Sequence, residues 1–295
     1  MKIKRATKIA ISLVYFGLVT LVRGGLRLLG RSCDARLVVL YYHGVPVELR
    51  RNFERQMDAL SRRASVVPAT FRGHLPPGKK YVAITFDDAL GSLFDNALPG
   101  LASRSFHATI FVPVGWIGRH PTWAADEDCL NPDDAVMTIE QLKKLDSHLV
   151  SLGGHTISHP LLSKLDARQL RDEVEGSRNR LAELSGQDIR SFSFPYGDHD
   201  ANSVEACKAA GYDVAFSILP EEVNTMSSRF LRGRTSVDPS DGPLEFFLKF
   251  NGGYVWASQM APVIRKLRFA VSSKSDRCLH DAESKPTSRW IKSDV

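Results

Sequence analysis

The 295-residue sequence has no C-x-x-C pair. Cys33, Cys129, Cys207 and Cys278 are scattered, which excludes both a cysteine zinc site and a disulfide framework. No G-x-G-x-x-G follows any apolar run, so a dinucleotide-binding reading has no support. No internal repeat is present. Long hydrophobic runs are also lacking: Ile9 to Val22 is fourteen uncharged residues, short of the ~20 that a bilayer span requires. The main body has no excess of positive charge. Residues 1–31 hold seven cations and no acid, and without them the net charge of +6 falls close to zero. A nucleic-acid partner for that body is therefore excluded.

What is present begins with that basic, apolar N-terminus. Its length suits a signal-peptide hydrophobic region, but no small-x-small cleavage site follows. An uncleaved membrane anchor over residues 1–31 is the expectation. A snorkelling short span, an interfacial helix and a first globular helix are the alternatives. Beyond it, apolar runs alternate with helical patterns. Strand-like runs occur at "ARLVVLYYHGV", "YVAITF", "HATIFVPV", "HLVSLGG", "RSFSFPYG" and "YDVAFSI", and a seventh within "SSRFLRGRTSV". "FERQMDALSRR" has helical spacing, and Thr138 and Gln141 have capping-box spacing ahead of another helix. In "LDARQLRDEVEGSRNRLAELSG", Asp166 caps a helix whose stripe is Leu170, Val174 and Leu181, and Gly186 ends it. Strands alternating with helices predict a distorted, partial parallel β/α barrel of about seven strands, preceded by the N-terminal hydrophobic helix. The polar stretch at 118–137, which includes Trp123, reads as a long functional loop. "EFFLKFNGGYVWASQMAPVIRKLRFAV" reads as an aromatic, basic extension over 239–272, with a disordered tail at 273–295.

The unusual polar residues fall just past the carboxyl ends of the strands, the face that carries active sites in parallel β/α folds. His43 follows the first strand, Asp87 and Asp88 the second, His155 and His159 the fourth, and Pro195-Tyr196 the fifth. His155 and His159 are four apart. On a single helical turn, held within a loop because Pro160 disfavours further helix, both imidazoles would share one face. With one Asp they make three O/N ligands that leave positions open, the pattern of a catalytic metal site. The other Asp stays free as a general base. A helix N-cap would account for one of the two acids, not both.

"TFDDA", "HTISH" and "FPYG", in this order, resemble the polysaccharide deacetylases with a NodB homology domain, carbohydrate esterase family 4. "YYHGV" is similar to the opening of their first strand. The resemblance covers about 36–238. It implies a distorted β/α barrel and hydrolysis of an N-acetyl amide. Asp87 matches the base, and Asp88, His155 and His159 match the ligands of one divalent ion, zinc first, with cobalt, nickel or manganese as alternatives. The backbone N–H of Tyr196 matches an oxyanion donor, a contact worth ~3 kcal/mol. His43, Pro195 and Trp123 are the substrate-binding candidates. The implied substrate is an N-acetylated glycan of a bacterial envelope, either a polymer or lipid-linked, and the enzyme would sit at the membrane through its N-terminal segment. Three departures stand out. Ala89 replaces a usual Gly, Phe194 stands where an Arg orients the base, and no Leu-x-His occurs near 228–240. In that place are Arg232 and Arg234, neither a proton donor, which leaves His199 or His43 to stand in. A catalytically impaired carbohydrate-binding relative is the alternative function.

Overall fold

The structure, a computed structural model, describes residues 5–31, 35–123, 131, 133–227 and 229–260. The expected tail at 273–295 lies outside the described residues, as do 261–272 of the expected aromatic extension and 124–130 and 132 of the long loop.

Helix α1 (Arg5–Leu28) precedes strand β1 (Leu37–Tyr42), α2 (Arg50–Arg63) and the short β2 (Ser65–Val66). Strand β3 (Tyr81–Phe86), α3 (Ser92–Asn96) and α4 (Leu98–Ala102) come next, then β4 (Ala108–Val112), α5 (Ile139–Lys143) and β5 (Val150–Gly154). Helix α6 (Ala167–Ser185) leads to β6 (Ser191–Ser193), α7 (Ala201–Ala209) and β7 (Val214–Phe216). The short strands β8 (Glu222–Val223), β9 (Leu231–Arg232) and β10 (Thr235–Ser236) lead into α8 (Pro243–Phe250). The main sheet path is β10-β1-β3-β4-β5-β6-β7-β9, parallel throughout. Its two end strands, β9 and β10, are separated in sequence only by Gly233 and Arg234. The edges of the sheet are thus joined through the chain itself, and the expected parallel β/α barrel is present, nearly closed around eight strands.

Both faces of these strands are buried, which is why β1 and β3 read as continuous apolar runs instead of alternating ones. Leu37, Val39, Tyr81, Ala83, Phe111 and Phe216 fill the barrel. The alternate residues Val38, Leu40, Val82, Ile84, Phe192 and Phe194 pack beneath the helices. This alternation settles which side chains can reach the barrel mouth. The capping box expected at Thr138/Gln141 is present, the expected Asp166 cap is completed to a capping box by Gln169, and Gly186 closes α6 in the left-handed region at φ 69°. The apolar stripe of α6, Leu170, Val174 and Leu181, is buried as expected.

Candidate active site

Strand β3 delivers the acid pair to the mouth. The chain turns sharply there: Asp88 has φ 64° and Ala89 φ 49°, both left-handed. Such a turn favours glycine, and a non-Gly residue in it costs ~1–2 kcal/mol. The turn sends the neighbouring carboxylates in different directions. Asp87 takes the parity of Ala83 and Thr85 and faces the barrel interior, whereas Asp88 faces the two histidines.

Asp88 Oδ1 lies 3.5 Å from His155 Nε2 and 3.4 Å from His159 Nε2. One ligand atom from each residue falls within 4.8 Å of the others, and all three side chains are buried. His155 Nδ1 is 2.7 Å from the carbonyl oxygen of Ser193. A carbonyl only accepts, so Nδ1 carries the proton and Nε2 presents a lone pair to the cluster. Burial first, then the neighbouring His155, lowers His159 to about 3, leaving it the neutral imidazole that ligates metals. Burial alone would raise Asp88, but His155 and His159 outweigh it and hold it ionised. Asp88 Oδ1 and His159 Nδ1 are buried without a hydrogen-bond partner among the described residues. An orphaned buried carboxylate oxygen facing two imidazole nitrogens fits a divalent cation of the zinc type.

The segment between the histidines is not the helical turn expected from their spacing. Thr156 (φ 66°) and His159 (φ 63°) are both left-handed, and Thr156 Oγ1 accepts the His159 backbone N–H at 2.9 Å. The preference imposed by Pro160 and this side-chain turn override the helix. The rings still converge, with centroids 4.9 Å apart. Glu173 of α6 fixes the loop by accepting the N–H groups of Ile157 (2.7 Å) and Ser158 (2.9 Å) and the Ser158 hydroxyl (2.6 Å). The glycines before His155 are needed for packing. A Cβ at Gly153 would lie 2.5 Å from the Phe111 ring, and one at Gly154 would lie 2.1 Å from the Tyr212 hydroxyl.

Asp87 is held by Arg234, a residue the sequence reading considered only as a failed proton donor. Arg234 Nη1 and Nη2 donate to Asp87 Oδ1 and Oδ2, each at 2.7 Å. The remaining donors reach Thr85 Oγ1 (3.2 Å), Ser193 Oγ (2.7 Å) and the Ser217 carbonyl (3.3 Å). The guanidinium lies 4.6 Å from the centre of the Tyr41 ring and 5.3 Å from that of Phe111. Burial would raise the Asp87 pKa, but Arg234, with His155 and His43 behind it, pulls it below the ordinary carboxylate range. Phe194, the position first compared with a base-orienting arginine, packs instead against Phe192 and His199 on the helix side. From β6 it is Ser193 that faces Asp87's partner, and the arginine arrives from the barrel seam.

The other candidates surround this pair. His43 sits edge-on to Tyr41, with centroids 5.8 Å apart, close enough for its charge to act on both Asp87 and Asp88. His199 binds the Gly197 carbonyl instead. Trp123 stacks on His159 with centroids 3.9 Å apart and an angle of 13°. Tyr196, at φ 57°, lies edge-on to the same imidazole at 4.7 Å and is 42% exposed, whereas Pro195 is buried. The far end of the long loop is tied to the acid pair through the Met137 N–H on the Ala89 carbonyl and the Gly91 N–H on Ala135.

A family model described as polysaccharide deacetylase matches residues 74–215, which include the acid pair, both histidines and Tyr196. Over that stretch, just under half of the chain, the sequence is similar to the polysaccharide deacetylases. The Bacillus subtilis protein YxkH is 26% identical over 163 residues, 55% of this chain and 53% of its own length, so the chain spans about half of that relative. Two solved structures share the fold. IcaB from Ammonifex degensii aligns over 76% of this chain and 98% of its own at 24% identity, with a TM-score of 0.62. PplD from Streptococcus pyogenes, solved with acetate, aligns over 74% and 99% at 18% identity, with a TM-score of 0.61. Arg232, next to the seam, serves the barrel floor: its Nη1 donates to the carbonyls of Ala69 and Phe71.

Proposed function

We propose that residues 36–238 form a metal-dependent N-deacetylase that hydrolyses acetamido groups on amino sugars of a bacterial envelope glycan, either polymeric or lipid-linked. The observation that carries this reading is the juxtaposition of Asp88, His155 and His159 with the Arg234-held Asp87. Two carboxylates adjacent in sequence thereby do different jobs.

A divalent ion held by Asp88, His155 and His159, zinc the first candidate, would polarise the acetyl carbonyl as a Lewis acid. Asp87, ionised and oriented by Arg234, accepts the proton of the attacking water as general base. The Tyr196 backbone N–H stabilises the developing oxyanion. His43, the imidazole whose charge reaches both acids, gives a proton to the departing amine. Acetate and a free amino sugar result. Trp123 holds the His159 ring flat and so shapes the wall of the site. Exposed Tyr196, Leu161 and Leu219 at the strand-end rim offer apolar surface to a pyranose face. The N-terminal segment associates the enzyme with the membrane.

The test is acetate release from N-acetylated glucosamine oligosaccharides by the metal-loaded protein. Asp87→Asn and His43→Ala should each lower kcat by about 10²–10⁴-fold with the metal retained. Turnover unchanged in Asp87→Asn would sink the mechanism. Full metal occupancy without turnover on any acetylated glycan would favour the carbohydrate-binding relative.

A further inference from the structure

Helix α1 presents two unlike faces. The inner one lies on the domain. Phe16 meets Phe247 edge-on at 5.6 Å, Ser12 Oγ accepts from Trp256 Nε1 at 2.8 Å, Arg5 pairs with Asp241 and Glu245, and Arg23 pairs with Glu222. The outer one is bare and apolar: Leu13, Val14, Leu18, Leu21 and Val22 are 49–74% exposed. No described element covers it.

The end contacts give the helix its direction. Arg5 reaches Asp241, just past the carboxyl end of β10. Arg23 reaches Glu222, which pairs with Val38 near the start of β1. The helix therefore runs the length of the barrel wall and does not project from it. A bilayer crossing in this pose would drag Glu222, Lys80 and the neighbouring wall into hydrocarbon, at several kcal/mol per charge. A helix that packs one face on protein and leaves an apolar face bare needs a second apolar phase against that face.

Beside the Arg23 end is a cavity of about 160 Å³, lined by Arg23, Arg27, Arg36, Lys79 and Lys80, with Glu222 as its one acid. Glu222 is already bound to Arg23. Burial lowers the Lys80 ammonium; Glu222 raises it, and Arg23 and Arg27 lower it further. An anion in this notch relieves the cations that Glu222 leaves uncompensated. The notch is lined by Arg23 and Arg27 of the same helix that carries the bare apolar face, a pairing that matches an anionic phospholipid, with acyl chains beside a phosphate.

We propose that α1 lies in the plane of an anionic lipid surface, its outer face immersed among acyl chains and a phosphate headgroup seated against Arg27, Arg36, Lys79 and Lys80. This deepens the reading of the N-terminal segment as membrane-associated and does not depend on the deacetylase activity. The strands then run alongside the lipid surface, and the catalytic mouth opens along it.

The experiment uses the full chain with vesicles of phosphatidylcholine alone or with phosphatidylglycerol. Binding should favour the anionic vesicles and weaken with salt. The Lys79→Gln/Lys80→Gln variant should bind them about 30-fold more weakly while its acetate release from a soluble oligosaccharide is unchanged. A photo-crosslinking side chain at Leu18 should label lipid, whereas one at Phe16 should label the domain. Lipid labelling from both positions would show a spanning helix and overturn the proposal. Labelling of a second protein copy from position 18 would overturn it in favour of a dimer. Equal binding to both vesicle types, or full displacement by millimolar inorganic phosphate with no lipid labelled, would equally overturn it. Failure of acetate release with vesicle binding intact would count against the deacetylase alone.

Discussion

Arg234 has no exposed surface, and a guanidinium so placed is tolerated only because each of its five N–H groups meets an acceptor and its faces meet aromatic rings. The fork fixes both oxygens of Asp87, so the position of this proposed base depends on the shape of Arg234 as well as its charge. Arg234→Lys tests this. It keeps the charge but cannot bridge two carboxylate oxygens and still reach Ser193 and Ser217. The expected outcome is a 10–100-fold fall in kcat with KM changed less than about 3-fold and the bound metal retained. A denaturant titration should show a loss of about 3 kcal/mol, since a buried pair is left incompletely satisfied. Loss of metal together with activity would instead mean that Arg234 supports the His-Asp cluster rather than the base. Its contact with Asp87 bridges 147 positions, and no local pattern in "FLRGRTSV" announces it.

The loop after β5 shows how an element can carry a proposed metal ligand without being regular. His159 sits in a left-handed conformation, and Glu173 from α6 gathers the N–H groups of Ile157 and Ser158 just before it. Glu173→Ala should therefore reduce metal affinity by about 10–100-fold, measured by competition with a chromogenic chelator. At saturating metal kcat should recover, which separates a positioning role from a catalytic one; no recovery would contradict it. Much at this scale was legible beforehand. The capping box at Thr138, the Asp166 cap, the α6 stripe and the placement of each polar motif past a strand all appear where local chemistry puts them. The trace of the His-x-x-x-His segment was not, because a Thr156 side-chain turn and Pro160 outcompete the helical spacing. Nor was the inward position of Ser193 in place of Phe194, since strand parity depends on where β6 begins, and a run with both faces buried conceals it.

Across the molecule, the predicted ligands bind together strand ends that are not neighbours: Asp88 follows β3, His155 and His159 follow β5, and β4 lies between them in the sheet. An ion there would tie the barrel mouth laterally, as the Gly233-Arg234 seam ties it through the chain. Only the folded barrel assembles the three groups, so a metal held by them would bind the native state and not the unfolded one, and its stabilisation would grow as RT ln(1 + [M]/Kd). At a hundredfold excess over Kd this is about 2.7 kcal/mol. For a domain of about 200 residues that corresponds to ~5–10 °C in Tm. Chelator-treated protein should melt lower by that amount and recover on adding zinc. Asp88→Asn should melt at one temperature in both conditions, because the carboxylate oxygen facing the imidazoles has lost its charge. Stripped and loaded wild-type protein that differ in metal content yet melt together would show that the ion bound elsewhere or that the mouth is rigid without it. Either result would remove Asp88, His155 and His159 as the metal centre of this barrel.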